Sequence, residues 1–229
     1  MKIAGIQKSS MVDYPGLVSI AVFTPFCNYD CFYCHNREIL TGDILIDTDE
    51  VLDFAQKRSG LIEGFVISGG EPTLQPELES FIAQIKGLGY KVKLDTNGGS
   101  PDVVKKLIEQ KLIDYIAVDL KAPFEKYRQI CGGTADGEIA RQTIEYILAS
   151  HIPCEIRTTM IPQLSAEEML DTIRELPRLS RYAIQQYIKP QRLRECDRFR
   201  ANVAPHNASY LEKYANECEK YCDNVVLKV

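Results

Sequence analysis

No apolar run in this chain approaches the ~18 residues that a membrane-spanning helix needs, so none is expected to cross a bilayer. The opening residues, MKIAGIQKSSMVDYPG, lack the apolar core and cleavage site of a secretory signal. Positive charge is not in excess either. The formal net charge is −5, which gives no global electrostatic case for nucleic acid or anionic membrane as a partner. A local basic cluster, RYAIQQYIKPQRLRECDRFR, reads as a solvated rim. The expectation is a soluble cytoplasmic protein. Low-complexity segments and clear linkers are absent too. With 229 residues and 45% hydrophobic content, the chain suits one sizeable domain or two small ones. The missing linker favours one domain over 1–229, with its core at about 15–190 and a C-terminal helix and possible extra strand in 191–229.

What is there is cysteine, eight of them. Three fall inside PFCNYDCFYCHNR, as Cys27, Cys31 and Cys34 with the spacing C-x3-C-x2-C. In a reducing cytosol, clustered thiols bind metal more often than they pair as disulfides. The other five (Cys131, Cys154, Cys196, Cys218, Cys222) are scattered, so no disulfide-dense scaffold is indicated. Cys218 and Cys222 lie four apart on a predicted helix and read as small buried hydrophobes. A structural zinc needs four closed ligands, which His35 or a distant cysteine would have to complete. An iron–sulfur cluster with three thiolates keeps one iron open to a small molecule.

Six apolar, β-branched runs alternate with helical patterns. Strands are expected at 17–24, 64–68, 90–96, 114–120, 154–160 and 182–188, with VVLKV (225–229) as a further edge strand. Helices are expected near 48–59, 76–87, 101–111, 136–150, 166–175 and 207–221. Such alternation implies right-handed crossovers and a parallel sheet. A complete eight-unit barrel takes ~250 residues, so the pattern suggests an α/β fold with a partial (β/α)6 barrel and outer helices. A doubly wound sheet would produce the same string of elements. The polar clusters decide for the barrel, because each follows a strand: the cysteines, then SGGEP, DTNG and DLK, with Arg157 and Gln186 late in the fifth and sixth strands. In a barrel those strand ends share one rim.

Each cluster also has a plainer reading. Gly69 and Gly70 allow a tight turn, and Pro72 can start a helix; equally, the glycines let backbone approach a ligand whose ammonium Glu71 accepts from. Asn97-Gly98 is a common turn, and Asp95 or Asp119 can cap the helix that follows. Two carboxylates at neighbouring strand ends repel unless a cation lies between them. Arg157 can be a rim arginine with a buried stem. Alternation turns one of Gln185 and Gln186 inward.

The cysteine spacing, with Tyr33 just before the last thiol, resembles the signature of radical S-adenosylmethionine (SAM) enzymes. The resemblance implies that Cys27, Cys31 and Cys34 hold a 4Fe–4S cluster, whose fourth iron binds the amino and carboxylate groups of SAM. Together, MVDYPG (11–16) and FTPFCNYDCFYCHN look most like the activating proteins of anaerobic ribonucleoside-triphosphate reductase and pyruvate formate-lyase. MVDYPG stands where those enzymes have DGPG, with Tyr14 in place of a glycine. The likeness runs from about residue 10 to 190. It implies SAM contacts from Tyr33, Gly69, Gly70, Glu71, Asp95, Thr96, Asn97, Asp119, Lys121, Arg157 and Gln186, where related activases often place a histidine at the last position. It also implies that Asp95 and Asp119 hold a monovalent cation. The implied activity is reductive cleavage of SAM to methionine and a 5′-deoxyadenosyl radical, which takes the Cα hydrogen of a glycine on a partner enzyme. Anaerobic ribonucleotide reductase leads as the partner, with a flavodoxin or ferredoxin-type protein as electron donor. The alternatives are a radical SAM enzyme of small molecules, RNA or peptides, and a non-catalytic zinc module.

Overall fold

The computed structural model describes residues 1–228. Its elements, in chain order, are β1 (Gly5–Tyr14), β2 (Leu17–Thr24), α1 (Thr48–Arg58), β3 (Gly64–Gly69), α2 (Leu78–Gly87), β4 (Lys91–Thr96), α3 (Pro101–Glu109) and β5 (Tyr115–Asp119). They continue as α4 (Tyr127–Cys131), α5 (Gly137–Ala149), β6 (Cys154–Met160), α6 (Ala166–Arg174), β7 (Tyr182–Gln186), α7 (Arg198–Ala201), α8 (Ala208–Cys218) and β8 (Val225–Lys228). The strands lie in one sheet in chain order. That order, with a helix after nearly every strand, is the topology of a partial α/β barrel. All six strands read from the apolar runs are present, each within two residues of its expected ends. The expected edge strand is β8; Val229 lies outside the described residues.

Eight strands are found among the described residues where the apolar runs gave six and a possible seventh. The additional one, β1, pairs antiparallel with β2, and its register is interrupted between Gln7 and Ser10 and again between Ser10 and Tyr14. Its sequence GIQKSSMVDY is mostly polar and leaves Met11 and Val12 exposed, so no hydrophobic period marks it. The MVDYPG stretch is therefore the end of a strand and a hairpin. Tyr14 pairs with Leu17 across Pro15-Gly16, and Gly16 takes φ +78°. Proline followed by a positive-φ glycine is the residue order of a type II turn.

The described residues group into two compact units. One comprises Met1–Cys27, Asn36–Thr96 and Asp102–Ala117; the other comprises Asn28–His35, Asn97–Pro101 and the chain from Val118 onward. In the first, β2, β3 and β4 pair in parallel. Ile20, Val22, Phe65, Ile67, Val92 and Leu94 are all fully buried, as expected of strands covered on both faces. The Phe65 ring meets Phe81 of α2 edge-on at 5.9 Å. In the second unit, β6, β7 and β8 are parallel. Tyr182 and Tyr214 are buried there and share a hydrogen bond of 2.8 Å between their hydroxyls.

Helix starts follow from local chemistry. Ser165 accepts from Glu168 N at 3.2 Å, and Glu168 Oε2 accepts from Ser165 N at 3.2 Å, closing a capping box on α6. Ser165→Ala should cost about 1 kcal/mol, read as a lower urea midpoint at unchanged slope.

Candidate functional site

In the first unit the GGEP loop is fastened to the turn that carries Cys27. Gly70 N donates to Thr24 O and Glu71 N to Phe26 O, each at 2.8 Å. Phe26 is a non-glycine residue at φ +66°, a conformation that persists only where its surroundings hold it. The approach is close enough to demand glycine at both positions. A Cβ on Gly69, itself at φ +125°, would lie 2.2 Å from Thr24 N, and one on Gly70 would lie 1.9 Å from Phe26 O. Asn36 Nδ2 donates to Gly69 O at 2.8 Å.

Glu71 is fully buried. Its Oε1 accepts from Thr73 N at 3.2 Å, Thr73 Oγ1 at 2.7 Å and Thr96 Oγ1 at 2.8 Å, so the carboxylate ties the loop to the end of β4. Asp95 does not cap a helix. It pairs with the buried Lys93 ammonium at 2.8 Å and accepts from Ser68 Oγ at 3.1 Å, while Lys93 also donates to Asp13 O at 2.7 Å.

In the second unit, Cys31 is buried and Cys34 half-buried; Cys34 N donates to Cys31 O at 3.2 Å. Asp119 again pairs with cations and caps no helix. Its Oδ2 meets Lys121 Nζ at 2.8 Å and its Oδ1 meets Arg157 Nε at 2.9 Å. Burial alone would lower the Lys121 pKa; Asp119, Tyr33, Cys31 and Cys131 together outweigh it, so the ammonium is held well above its usual range. Burial pushes the Tyr33 hydroxyl well up. Asn97 joins the cysteine loop, its Nδ2 donating to Asn28 Oδ1 at 2.8 Å while its Oδ1 accepts from Gly99 N at 2.8 Å. Gln185 and Gln186 are both half-buried and line a cavity of about 410 Å³ with His35, Thr159, Ile188 and Lys228. Gln186 Nε2 donates to His206 O at 3.0 Å.

Two features were not legible as functional from spacing. Cys131 is fully buried, and its carbonyl accepts from Asp30 N, next to Cys31, at 2.8 Å. The stretch that leads into α7, and α7 itself, also reach the cysteine loop: Arg194 pairs with Asp30, and the Arg200 guanidinium lies 4.2 Å from the Phe32 ring centroid. The doubled glycine after Cys131 was the available signal, since CGG marks backbone that must pass close to something. Cys218 ends α8 and Cys222 lies beyond it; both are buried, which pushes their thiols up to about 12 and about 11. Among the described residues no group of three His, Cys, Asp or Glu is disposed around a single metal ion, and the cysteines form no disulfide.

The sequence pattern of the Radical SAM superfamily matches residues 21–176. A Methanocaldococcus jannaschii protein named "Putative glycyl-radical enzyme activating enzyme" is 34% identical over 99% of this chain and 95% of its own length. A "Pyruvate formate-lyase-activating enzyme" of Staphylococcus aureus is 33% identical over 51% of each chain. Among solved structures, Streptococcus suis SuiB bound to S-adenosylmethionine superposes with a TM-score of 0.68 at 15% identity, covering 89% of this chain and 48% of that one. This last likeness concerns the fold.

Proposed function

The chain belongs to the radical SAM superfamily, and from that premise we propose that it activates a glycyl-radical enzyme. The observation that carries the proposal is the relative matched over nearly the whole of both chains, whose name states that activity. The family implies a 4Fe–4S cluster and SAM as cofactors. The donor set suits such a cluster. Three thiols lie within eight residues, outside any disulfide, and a cluster gives each thiolate its own iron without requiring all three to converge on one ion. A zinc module requires that convergence, with thiolates about 2.3 Å from a common centre.

Cys27, Cys31 and Cys34 hold the cluster in this reading. Bound there, the cluster would pass one electron from the donor protein to the sulfonium of SAM, and the chemistry so supplied would be release of methionine and removal of a glycine Cα hydrogen by the 5′-deoxyadenosyl group. The chain's own residues bind, orient and exclude water. Gly69 and Gly70 present backbone to the methionyl group, and Glu71, with Oε1 engaged by Thr73 and Thr96, serves that group by holding the loop. Tyr33, Asp95, Thr96, Asn97, Asp119, Lys121, Arg157 and Gln186 complete the cofactor contacts. Asp95 and Asp119 are also assigned to a monovalent cation. Lys93, Lys121 and Arg157 already neutralise these carboxylates, so removing the ion should weaken SAM binding less than mutating either aspartate. Anaerobic ribonucleotide reductase is the first partner to test, with a flavodoxin or ferredoxin-type donor, in the cytoplasm and with residues 1–229 acting as one domain.

Anaerobic purification followed by iron, sulfide and zinc analysis, with SAM and a reductant then added, tests this directly. Iron with sulfide and formation of 5′-deoxyadenosine is the expected result. About one zinc per chain, with no sulfide and no cleavage, would refute it. Asp119→Asn should leave the cluster's visible absorption in place and weaken SAM binding about tenfold, or ~1.4 kcal/mol, because Lys121 and Arg157 lose their shared counter-ion. Equilibrium binding of SAM checks this.

A further inference from the structure

The run KPQRLRECDRFR (189–200) has no task in the function just proposed, and it is a basic stretch of an acidic chain. It holds five cations, Lys189, Arg192, Arg194, Arg198 and Arg200, against Glu195 and Asp197, where the whole chain has a net charge of −5. Asp197 is buried and meets Arg194 at 2.6 Å. Glu195 is therefore the one acid the stretch exposes, beside exposed Lys189, Arg192 and Arg198. Apolar surface accompanies the charge. Phe199 is 87% exposed between Arg198 and Arg200 on α7, and Ile188, just ahead of the run, is 68% exposed. One exposed phenylalanine is ordinary on a protein surface. Set among arginines, it has the composition enriched at the centre of protein interfaces.

Read from sequence, this cluster is a solvated rim; in the structure it is fastened to the cysteine loop. The Tyr187 hydroxyl donates to Ala201 O and Gln163 Nε2 to Arg200 O, each at 2.9 Å. Arg194 pairs with Asp30, and the Arg200 guanidinium lies 4.2 Å from the ring centroid of buried Phe32. Asp30 and Phe32 flank Cys31. One layer of arginine side chains thus separates this surface from the loop of cluster ligands.

We infer that residues 188–200 form the docking surface for an acidic electron-transfer protein, the donor that reduces the cluster. The inference rests on the radical SAM reading above. Electron transfer slows steeply with distance, so the donor must seat close to the cysteine loop, and this surface touches that loop on both sides of Cys31. In the step it serves, the reduced donor loses one electron and the cluster gains it; no atom is transferred. Charge selects the partner. The exposed cations attract an acidic face and repel a basic one, and such complementarity raises the rate of encounter. Short-lived electron-transfer complexes need only a small contact, under about 1,200 Å² in total. An apolar centre such as Phe199 within a charged rim suits a contact of that kind.

The test is equilibrium binding of an acidic flavodoxin and an acidic ferredoxin to the anaerobically purified protein, beside SAM cleavage driven by either donor or by dithionite. Arg198→Glu and Phe199→Ser are compared with wild type and with Lys213→Glu, which makes the same charge change as Arg198→Glu at an exposed position of α8. Arg198→Glu should weaken donor binding about tenfold and Phe199→Ser about fivefold, with Lys213→Glu within about twofold of wild type. Wild-type binding should also weaken as salt rises, because salt screens exposed charges. Cleavage driven by the donor should fall in Arg198→Glu and Phe199→Ser, while cleavage driven by dithionite keeps the wild-type rate. Unchanged donor affinity in both variants overturns the inference, as does an equal loss in Lys213→Glu. So does a matching loss with dithionite, because the stretch would then serve the cluster or SAM. Wild type that cleaves SAM with dithionite yet binds neither donor overturns it too. Wild-type protein with no iron, no sulfide and no dithionite-driven cleavage defeats the radical SAM reading instead, so the two failures are distinct.

Discussion

Cys27→Ala, Cys31→Ala and Cys34→Ala should each abolish the iron–sulfur chromophore and all cleavage of SAM, while Cys218→Ala and Cys222→Ala should leave both intact. The two groups of thiols differ in environment as well as spacing. Cys218 and Cys222 are buried, and burial lifts their thiols to about 12 and about 11. They stay protonated at neutral pH and act as small apolar side chains. Thiolates, by contrast, bind metal, and with only three in the set the loss of any one leaves two irons of the cluster without a protein ligand. Cys31 makes the most telling case. Its hydrogen bond with Cys131, and then its burial, raise its pKa well above the ordinary thiol value in the metal-free chain, with Lys121 opposing. Loading of iron therefore releases a proton from Cys31, and cluster assembly should become more complete as pH rises through and beyond the ordinary thiol range. Iron and sulfide counts on each variant decide the matter. A Cys31→Ala protein that keeps its cluster would contradict the assignment.

Gly70→Ala should be nearly as damaging although it removes nothing. The added Cβ would meet Phe26 O at 1.9 Å and Phe26 C at 2.7 Å. Both are backbone atoms, so no rotamer change relieves the clash; either the GGEP loop or the Phe26-Cys27 turn must move. Phe26 is already in the left-handed region, held by Glu71 N. Overpacking of this kind costs about 1–3 kcal/mol. The displacement falls next to a cluster ligand, so SAM cleavage should drop by more than about tenfold, beyond the effect on stability alone. Gly87→Ala is the matched control: it lies at the end of α2, and a Cβ there meets nothing within 4 Å. It should leave activity unchanged and slightly stabilise the helix, since Ala is favoured over Gly by up to about 1 kcal/mol. Equal activity of the two variants would remove the structural role assigned to Gly70.

Much of this architecture was legible in the sequence because burial wrote it there. LVSIAVFT and CEIRTTM match β2 and β6 residue for residue, since covered strands are rich in β-branched side chains such as Ile20, Val22, Ile156 and Thr158. β1 escaped because an edge strand with an irregular register needs no such pattern. The motifs at the strand ends were visible through residue type, but their partners were not. Glu71 looked available for an ammonium group, yet Thr73 and Thr96 engage its Oε1, a contact between residues 25 positions apart. Asp95 and Asp119 were visible as carboxylates at neighbouring strand ends, while the side chains that meet them, Lys93 for one and Lys121 with Arg157 for the other, were not. Cys131 stands nearly a hundred residues beyond the C-x3-C-x2-C motif. Only the fold brings its carbonyl to Asp30 N, next to Cys31.

The most direct test of the account is anaerobic incubation of the protein with SAM, a reductant and anaerobic ribonucleotide reductase, observed by electron paramagnetic resonance. The account predicts a glycyl radical on the reductase that appears only when SAM and intact Cys27, Cys31 and Cys34 are present. SAM cleavage that proceeds while neither this reductase nor pyruvate formate-lyase gains a glycyl signal would contradict it.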